Sequence, residues 1–322
     1  MKTIRQPSEL VAAGRPVAVA IGVFDGVHLG HRAVIGRMIA AARQRDGLGV
    51  VVTFDRHPNA VVAPDRTPPA LQSLAQRLRV FAELGADATW CIHFDAAFSR
   101  HTGEQFVRDL VGGFGWVTAV CVGSGFQFGH RRQGNVALLE RLGAELGFVT
   151  EAVEPLRVEG QIVSSTLVRE FIGRGALEAA RRLLGRPYAL AGEVVRGAQL
   201  GRQLGFPTAN LDVRGRVLPP HGVYAAQVPQ PEGILGAVMN LGVRPTVDAR
   251  PAMPHLEVHL LDTERDLYGQ ELEVVPVARL RDEVRFDSLE ALRAQIARDV
   301  IAARRTLRLP LASDAPADGM PP

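Results

Sequence analysis

Val17-Ala18-Val19-Ala20-Ile21, running into Gly22-Val23-Phe24-Asp25-Gly26-Val27-His28-Leu29-Gly30-His31, is the stretch that decides the fold. The apolar run reads as a buried strand, and residues 32–43 read as the helix that follows it. The two histidines therefore stand where a strand hands over to a helix. In α/β sheets that is where phosphates bind on free backbone N–H groups. A His-x-Gly-His pair at such a turn can donate two hydrogen bonds to a polyphosphate, and Gly30 lets a phosphate approach the backbone. The arrangement suits attack on the α-phosphate of a nucleotide, with pyrophosphate leaving. The same residues also fit a plain turn whose histidines are hydrogen-bonded only locally.

The rhythm continues outward from this stretch. Strands are expected at 50–54, 89–94, 117–122 and 148–153, with helices between them such as 71–84, stopped by Gly85, and 103–111, stopped by Gly112-Gly113. Alternation of this kind implies a parallel, doubly wound, Rossmann-like sheet. After Gly185-Arg186-Pro187 the chain changes to short strand-like runs at 188–196, 222–228, 234–241, 256–262 and 271–278, broken by Pro/Gly turns with no helix between. That reads as a small antiparallel β-barrel. One helix closes it, capped by Asp287 with Glu290 three residues on, and its stripe of Leu289, Leu292, Ile296 and Val300 reads as core packing. The expected domains are 1–184 and 185–309, followed by a disordered Pro/Ala/Asp/Gly-rich tail at 310–322.

Composition narrows the function. No apolar run is long enough to span a bilayer, and no basic-then-apolar leader opens the chain. Cys91 and Cys121 both fall in expected strands, as small core residues of a reducing compartment, so a cytoplasmic protein is expected. A formal charge of +3 without a dense basic block gives no support to nucleic-acid binding. The single lysine is Lys2, which excludes both a P-loop and the strand lysine of protein-kinase-like folds. Any phosphoryl chemistry must use metal, arginine, histidine and backbone donors.

Two further segments carry candidate chemistry. In Gln161-Ile162-Val163-Ser164-Ser165-Thr166-Leu167-Val168-Arg169 a short strand gives way to three hydroxyl residues that open a helix. Hydroxyls and unpaired first-turn N–H groups form a phosphate cradle, with Arg169 one turn further on to offset charge. A plain N-cap accounts for one of the hydroxyls, not for three in a row. In the second half, Gly197-Ala198-Gln199-Leu200-Gly201-Arg202-Gln203-Leu204-Gly205-Phe206-Pro207-Thr208-Ala209-Asn210 offers a glycine-bearing loop ahead of a proline-stiffened segment. Thr208 and Asn210, two apart on an extended chain, point to one side and suit a Mg²⁺ ion carrying ATP phosphates. A glycine-rich hairpin whose Thr and Asn only satisfy the turn is the other reading.

Taken in order, the histidine motif, Thr53-Phe54-Asp55-Arg56-His57-Pro58, Val122-Gly123 with Phe126-Gln127-Phe128-Gly129, and Ser164-Ser165-Thr166 with Arg169 resemble the adenylyltransferase half of the bacterial bifunctional riboflavin kinase/FAD synthetases. Gly205-Phe206-Pro207-Thr208-Ala209-Asn210 resembles the hallmark of their riboflavin kinase half. It is followed in order by Gly222-Val223-Tyr224-Ala225, the run from Asn240 to Thr246, Glu257-Val258-His259, Asp266-Leu267-Tyr268-Gly269 and Leu280-Arg281 with Arg285-Phe286.

The resemblance covers residues 14–304 and implies two reactions, riboflavin with ATP to FMN and FMN with ATP to FAD. It implies that His28 and His31 stabilise charge on the α-phosphate and that Ser164, Ser165, Thr166 and Arg169 hold the departing pyrophosphate. Gly22, Phe24, Gly201 and Gly205 would also meet ATP, and Thr208 and Asn210 would bind both ATP and Mg²⁺. Glu257 would be the general base on the ribityl 5′-hydroxyl; it alternates with Leu256 and Val258 as an inward polar position does. His57, Phe126, Arg281 and Phe286 are implied flavin contacts, although Arg281 and Phe286 also read as the ordinary join of strand to helix. Asp25 fits a residue that stabilises its own turn, and His57 one that packs on Pro58. His259 and Arg244 receive no role.

Two departures stand out. The family usually has Pro at the position of Arg56, and Asp or Asn followed by Phe-Arg at Gly125-Phe126-Gln127. A riboflavin kinase with weak or lost adenylyl transfer therefore remains a second reading, and a non-catalytic flavin or nucleotide binder a third. The expected partners are the small-molecule substrates, with no nucleic acid and no membrane, and the expected state is a monomer or transient homo-oligomer.

Overall fold

The structure, a computed structural model, describes residues 1–11, 14–197, 200–244, 253–263 and 265–309. The chain divides into two compact units, the first comprising Met1–Val168 with Arg182–Gly185 and the second Arg169–Arg181 with residues 186 onward.

The first unit is a six-stranded sheet. Its strands are β1 (Lys2–Ile4), β2 (Val17–Ile21), β3 (Leu48–Phe54), β4 (Ala88–Ile92), β5 (Val117–Gly123) and β6 (Val149–Val153). All neighbours are parallel, in the order β1-β4-β3-β2-β5-β6. β2 is buried along its whole length, as a continuous apolar run in the middle of a parallel sheet requires. The order reverses at β2, where β3 leaves on one side and β5 lies on the other. The crevice beyond the carboxyl ends of β2 and β5 is therefore the switch point at which such sheets take ligands.

The helices are α1 (Ser8–Val11), α2 (Leu29–Arg43), α3 (Asn59–Val62), α4 (Leu74–Glu83), α5 (Gly103–Phe114) and α6 (Val136–Leu146). Three of the sequence expectations change here. α2 begins at Leu29, so His28 caps it and His31 lies in its first turn. α4 starts at Leu74, because Ser73 and Gln76 form a reciprocal capping box. α5 runs straight through Gly112-Gly113 and stops at Gly115, whose positive φ of +78° only glycine adopts at low cost. A Cβ at Gly113 would strike the Pro7 ring, so that glycine is set by packing. β1, an edge strand of three residues, was not expected from the sequence.

A short hairpin of β7 (Arg157–Val158) and β8 (Gln161–Ile162) precedes α7 (Ser165–Gly173) and α8 (Leu177–Leu184). The second unit is a closed barrel of β9 (Leu190–Val195), β10 (Ala209–Leu211), β11 (Gly222–Gln230), β12 (Gly233–Arg244), β13 (Met253–Leu260) and β14 (Glu271–Arg281), in the order β10-β13-β12-β11-β14-β9. Every pair is antiparallel. Contrary to expectation, a helical turn, α9 (Leu200–Gln203), interrupts the strands, and β10 is an additional strand.

The closing helix α10 (Leu289–Leu307) is capped by Ser288, whose Oγ accepts from Ala291 N–H, and not by Asp287. Its contact with the barrel is made by Ala303, Val300 and Leu307 against Val223, Ala225 and Val238. Leu289, expected in that stripe, is exposed. The expected tail at 310–322, Ala198-Gln199 of the glycine-bearing loop and Pro245-Thr246 lie outside the described residues.

Candidate active sites

In the first unit, the turn after β2 is built to hold His28. Its ring is buried, and Nδ1 accepts from the His31 backbone N–H at 3.3 Å. An imidazole nitrogen that accepts carries no proton, so the neutral ring keeps its proton on Nε2 and remains a donor there. The His31 ring stacks on His28 with centroids 3.6 Å apart and 18° between planes. Gly30 permits this, since a Cβ there would come within 3.2 Å of the His28 ring. Phe24 meets His31 edge-on at 5.3 Å and Phe81 at 5.9 Å. Its side chain is buried in the core, so the Phe24 ring backs His31. Gly22 serves Phe24 in turn, because a Cβ at 22 would overlap that ring.

The turn is tied down from three directions. Asp25 does not merely stabilise its own turn: its buried carboxylate accepts from Leu71 N–H at 3.0 Å and Gln72 N–H at 3.2 Å. Ser165 donates its hydroxyl to the Asp25 carbonyl at 2.8 Å. Arg77, which sequence reasoning missed, donates to the Val23 carbonyl at 2.7 Å, to Thr53 Oγ1 at 3.1 Å and to the Phe54 carbonyl at 2.9 Å. This buried arginine thus pins the outgoing ends of β2 and β3. Its signal was an arginine three and four residues before Val80 and Phe81 on the buried face of a helix.

The three hydroxyls of the second segment divide their work. Ser164 Oγ caps α7 by accepting from Leu167 N–H, Ser165 anchors the turn as above, and Thr166 is exposed. Arg169 lies one turn along α7. Beyond β3, His57 Nδ1 accepts from Asn59 N–H at 3.1 Å, a local capping bond and not packing on Pro58 alone. Burial pushes the neighbouring Asp55 carboxyl up, but hydrogen bonds from Phe94 N–H, His93 and Arg56 outweigh this and hold it below the ordinary range. Phe126 stacks on Phe128 at 5.3 Å against the core. At Gly125 a Cβ would meet open space, so no neighbouring side chain covers the place of the missing polar group. Cys91 and Cys121 are free and buried, and burial raises both thiols, Cys121 to about 12, which removes them as nucleophiles.

In the second unit one lateral rung gathers the site. Antiparallel register aligns Asn210 with Glu257, Glu257 with Asn240, Asn240 with Val223, and Val223 with Arg281. Residues opposite each other share a face, so this row lies on one side of the barrel wall. Leu256 and Val258 are fully buried on the inner side, with Val258 opposite Met239 and Met239 opposite Tyr224. Glu257 therefore points outward, into a groove beneath α10, and not inward as its alternation suggested. Asn240 was not among the sequence candidates; its place beside Glu257 comes from register alone.

That groove is a cavity of about 480 Å³ lined by the rung together with Thr208, Phe206, His259, Phe286, Leu292 and Ile296. Leu292 and Ile296 thus line a cavity, where the sequence suggested only core. Arg281 forms a two-pronged ion pair with the buried Asp299 of α10, the closest contact being 2.7 Å, and its guanidinium lies 5.9 Å from the Phe286 ring centre. It joins strand to helix and lines the cavity at once. A second cavity, of about 440 Å³, is bounded by Arg202, Gly205, Pro207, Arg265 and Tyr268. Thr208 lines both cavities.

Comparison with known proteins matches each half separately. A family model described as FAD synthetase covers residues 11–167, and one described as riboflavin kinase covers residues 184–307. A bifunctional riboflavin kinase/FMN adenylyltransferase of Escherichia coli K12 is 42% identical over 306 residues, spanning 94% of this chain and 97% of the relative. Its counterpart in Pseudomonas fluorescens is 40% identical, spanning 94% and 97%. A solved structure described as a macrolide-efflux protein from Streptococcus pneumoniae superposes with a TM-score of 0.77 at 27% identity, over 94% of this chain and 98% of its own. Among the described residues no helix is long and apolar enough to cross a membrane.

Proposed function

The chain belongs to the family of bifunctional riboflavin kinase/FMN adenylyltransferases, and from that premise we propose how its residues divide the two reactions. The enzyme phosphorylates riboflavin with ATP to give FMN, then adenylylates FMN with ATP to give FAD and pyrophosphate.

Adenylyl transfer belongs to the parallel-sheet unit. The His28 Nε2–H, fixed by the capping bond at Nδ1, and the stacked His31 donate to the α-phosphate as the FMN phosphate attacks it. First-turn N–H groups of α7, the Ser164 and Thr166 hydroxyls and Arg169 receive the pyrophosphate as the α–β bridging bond breaks, while the Ser165 hydroxyl stays on the Asp25 carbonyl and holds the turn. No covalent enzyme intermediate is needed, so rate comes from alignment and charge stabilisation. His57 and Phe126 are assigned to the flavin on the family resemblance.

Phosphoryl transfer belongs to the barrel, and the observation that carries it is the Asn210–Glu257–Asn240 rung opening onto Thr208. ATP occupies the Arg202/Tyr268 cavity and riboflavin the cavity under α10, so that the two meet at Thr208. Glu257 takes the proton of the ribityl 5′-hydroxyl as that oxygen bonds the γ-phosphorus and ADP leaves. Thr208 and Asn210 are hard oxygen donors that fit Mg²⁺, an ion that keeps phosphate oxygens and water for its remaining positions. The backbone leaves them room: a Cβ at Gly197 would overlap the Asn210 amide, and one at Gly201 would come within 3.2 Å of Thr208 Oγ1. When bound, Mg²⁺ neutralises phosphate charge in a barrel whose described basic residues are all arginine or histidine. Arg281 and Phe286 bound the flavin. The buried free thiols support a cytoplasmic enzyme.

Glu257→Gln tests the assignment. FMN formation from riboflavin and Mg·ATP should fall about 100-fold or more, while FAD formation from supplied FMN persists. FMN formation at the wild-type rate would remove Glu257 from the role.

A further inference from the structure

His259 lies two residues beyond Glu257 on the same face of β13, and both line the cavity under α10. Its Nδ1 sits 2.9 Å from the Pro207 carbonyl oxygen. A carbonyl only accepts, so Nδ1 carries the proton and donates. The Phe206 ring meets the His259 ring edge-on, with centroids 5.5 Å apart and 86° between planes. His259 therefore grips the Phe206-Pro207 peptide by both ring contact and hydrogen bond.

The segment from 206 to 210 is thereby fixed to β13 at two points. At one end Asn210 pairs with Glu257 in the ladder. At the other, His259 holds the Pro207 carbonyl. Thr208, which faces both cavities, is strung between them. Pro207 has no N–H to anchor the turn by itself, so its carbonyl is the handle that remains. We infer that His259 is a positioning residue for phosphoryl transfer, acting through the Pro207 carbonyl to set Thr208 against the Mg²⁺-bearing phosphates. The inference rests on the reading of Thr208 given above. It also couples the strand that carries the base to the turn that carries the phosphate ligand, since both contacts are made by β13.

Displacing a positioned group by about 1 Å can cost on the order of 100-fold in rate. His259→Ala should therefore lower kcat for FMN formation by about tenfold or more, with the KM for riboflavin little changed. Thermal unfolding followed by circular dichroism serves as the folding control for the barrel and should be little changed, and adenylyl transfer from supplied FMN should hold. Calorimetry with a non-hydrolysable ATP analogue, with and without Mg²⁺, should show a smaller Mg²⁺-dependent gain in affinity for the variant. His259→Asn keeps an N–H donor at the δ position and should recover most of both losses. The inference is overturned if His259→Asn performs no better than His259→Ala, or if only the KM for riboflavin rises. Thr208→Ala separates the two levels. If it abolishes the Mg²⁺-dependent gain while His259→Ala does not alter it, this inference alone fails. If Thr208→Ala leaves the gain intact, the reading of Thr208 fails first.

Discussion

At position 28 one imidazole caps α2 through Nδ1 and keeps a donor proton on Nε2. Substitution can separate these tasks. His28→Ala should cost about 1 kcal/mol of stability for the lost cap and abolish FAD formation from FMN. Asparagine is among the best N-caps, so His28→Asn should retain stability in urea denaturation and still make no FAD. Recovery of FAD formation by His28→Asn would reduce the histidine to a cap. Gly125 makes the opposite case, a site that lacks something. A side chain there meets open space, so Gly125→Asn should leave the thermal midpoint unchanged. A new hydrogen bond to substrate would raise kcat/KM for FMN by about two- to tenfold; a fall would show that the glycine is no deficit. The histidine turn and the hydroxyl-led start of α7 were legible as local structure because each is written in adjacent residues. Asp25 was not, since the Leu71 and Gln72 N–H groups that hold it lie far along the chain and only the fold brings them together.

α4 matters to the first site through a single buried side chain. Arg77→Met keeps the bulk of the helix face but removes a donor from the Val23 and Phe54 carbonyls and from Thr53 Oγ1, leaving the Val23 carbonyl only the Thr53 hydroxyl. A buried acceptor left unpaired costs about 1–3 kcal/mol, so the loss by chemical denaturation should be about 1–3 kcal/mol. FAD formation should fall more than FMN formation, because the strand ends that Arg77 holds belong to the first unit. Equal losses in both would show that Arg77 serves stability alone. Elements with a full run of apolar residues were readable: β2 matches its expected bounds. The failures were β1 and β10, three residues each, too short to show a period. β10 is the costly omission, because it carries Asn210 into register with Glu257. The direction of Glu257 was also misread. In a closed barrel covered by a helix, the outer face can be as enclosed as the inner one, and alternation alone does not tell them apart.

At the scale of the molecule, two units built on different principles serve consecutive steps of one synthesis. In the proposed division, the switch-point turn of the parallel sheet serves the α-phosphate and the lateral rung of the barrel serves the γ-phosphate. Lys2 is the only lysine in the chain, so in this reading arginine, histidine, hydroxyl and backbone donors share the phosphate charge. The change of architecture near residue 185 was readable from the shift in element rhythm, while the four-motif order pointed to the first half and the Gly205–Asn210 run with its followers to the second. The most direct test is a mixing experiment with riboflavin, ATP and Mg²⁺, separating the flavins by chromatography. His28→Asn alone should stop at FMN, Glu257→Gln alone should leave riboflavin almost unchanged, and the two together should make FAD, because FMN released by one is used by the other. FAD absent from the mixture, with both variants folded and FMN accumulating, would contradict the assignment of the two reactions to separate residues in separate units.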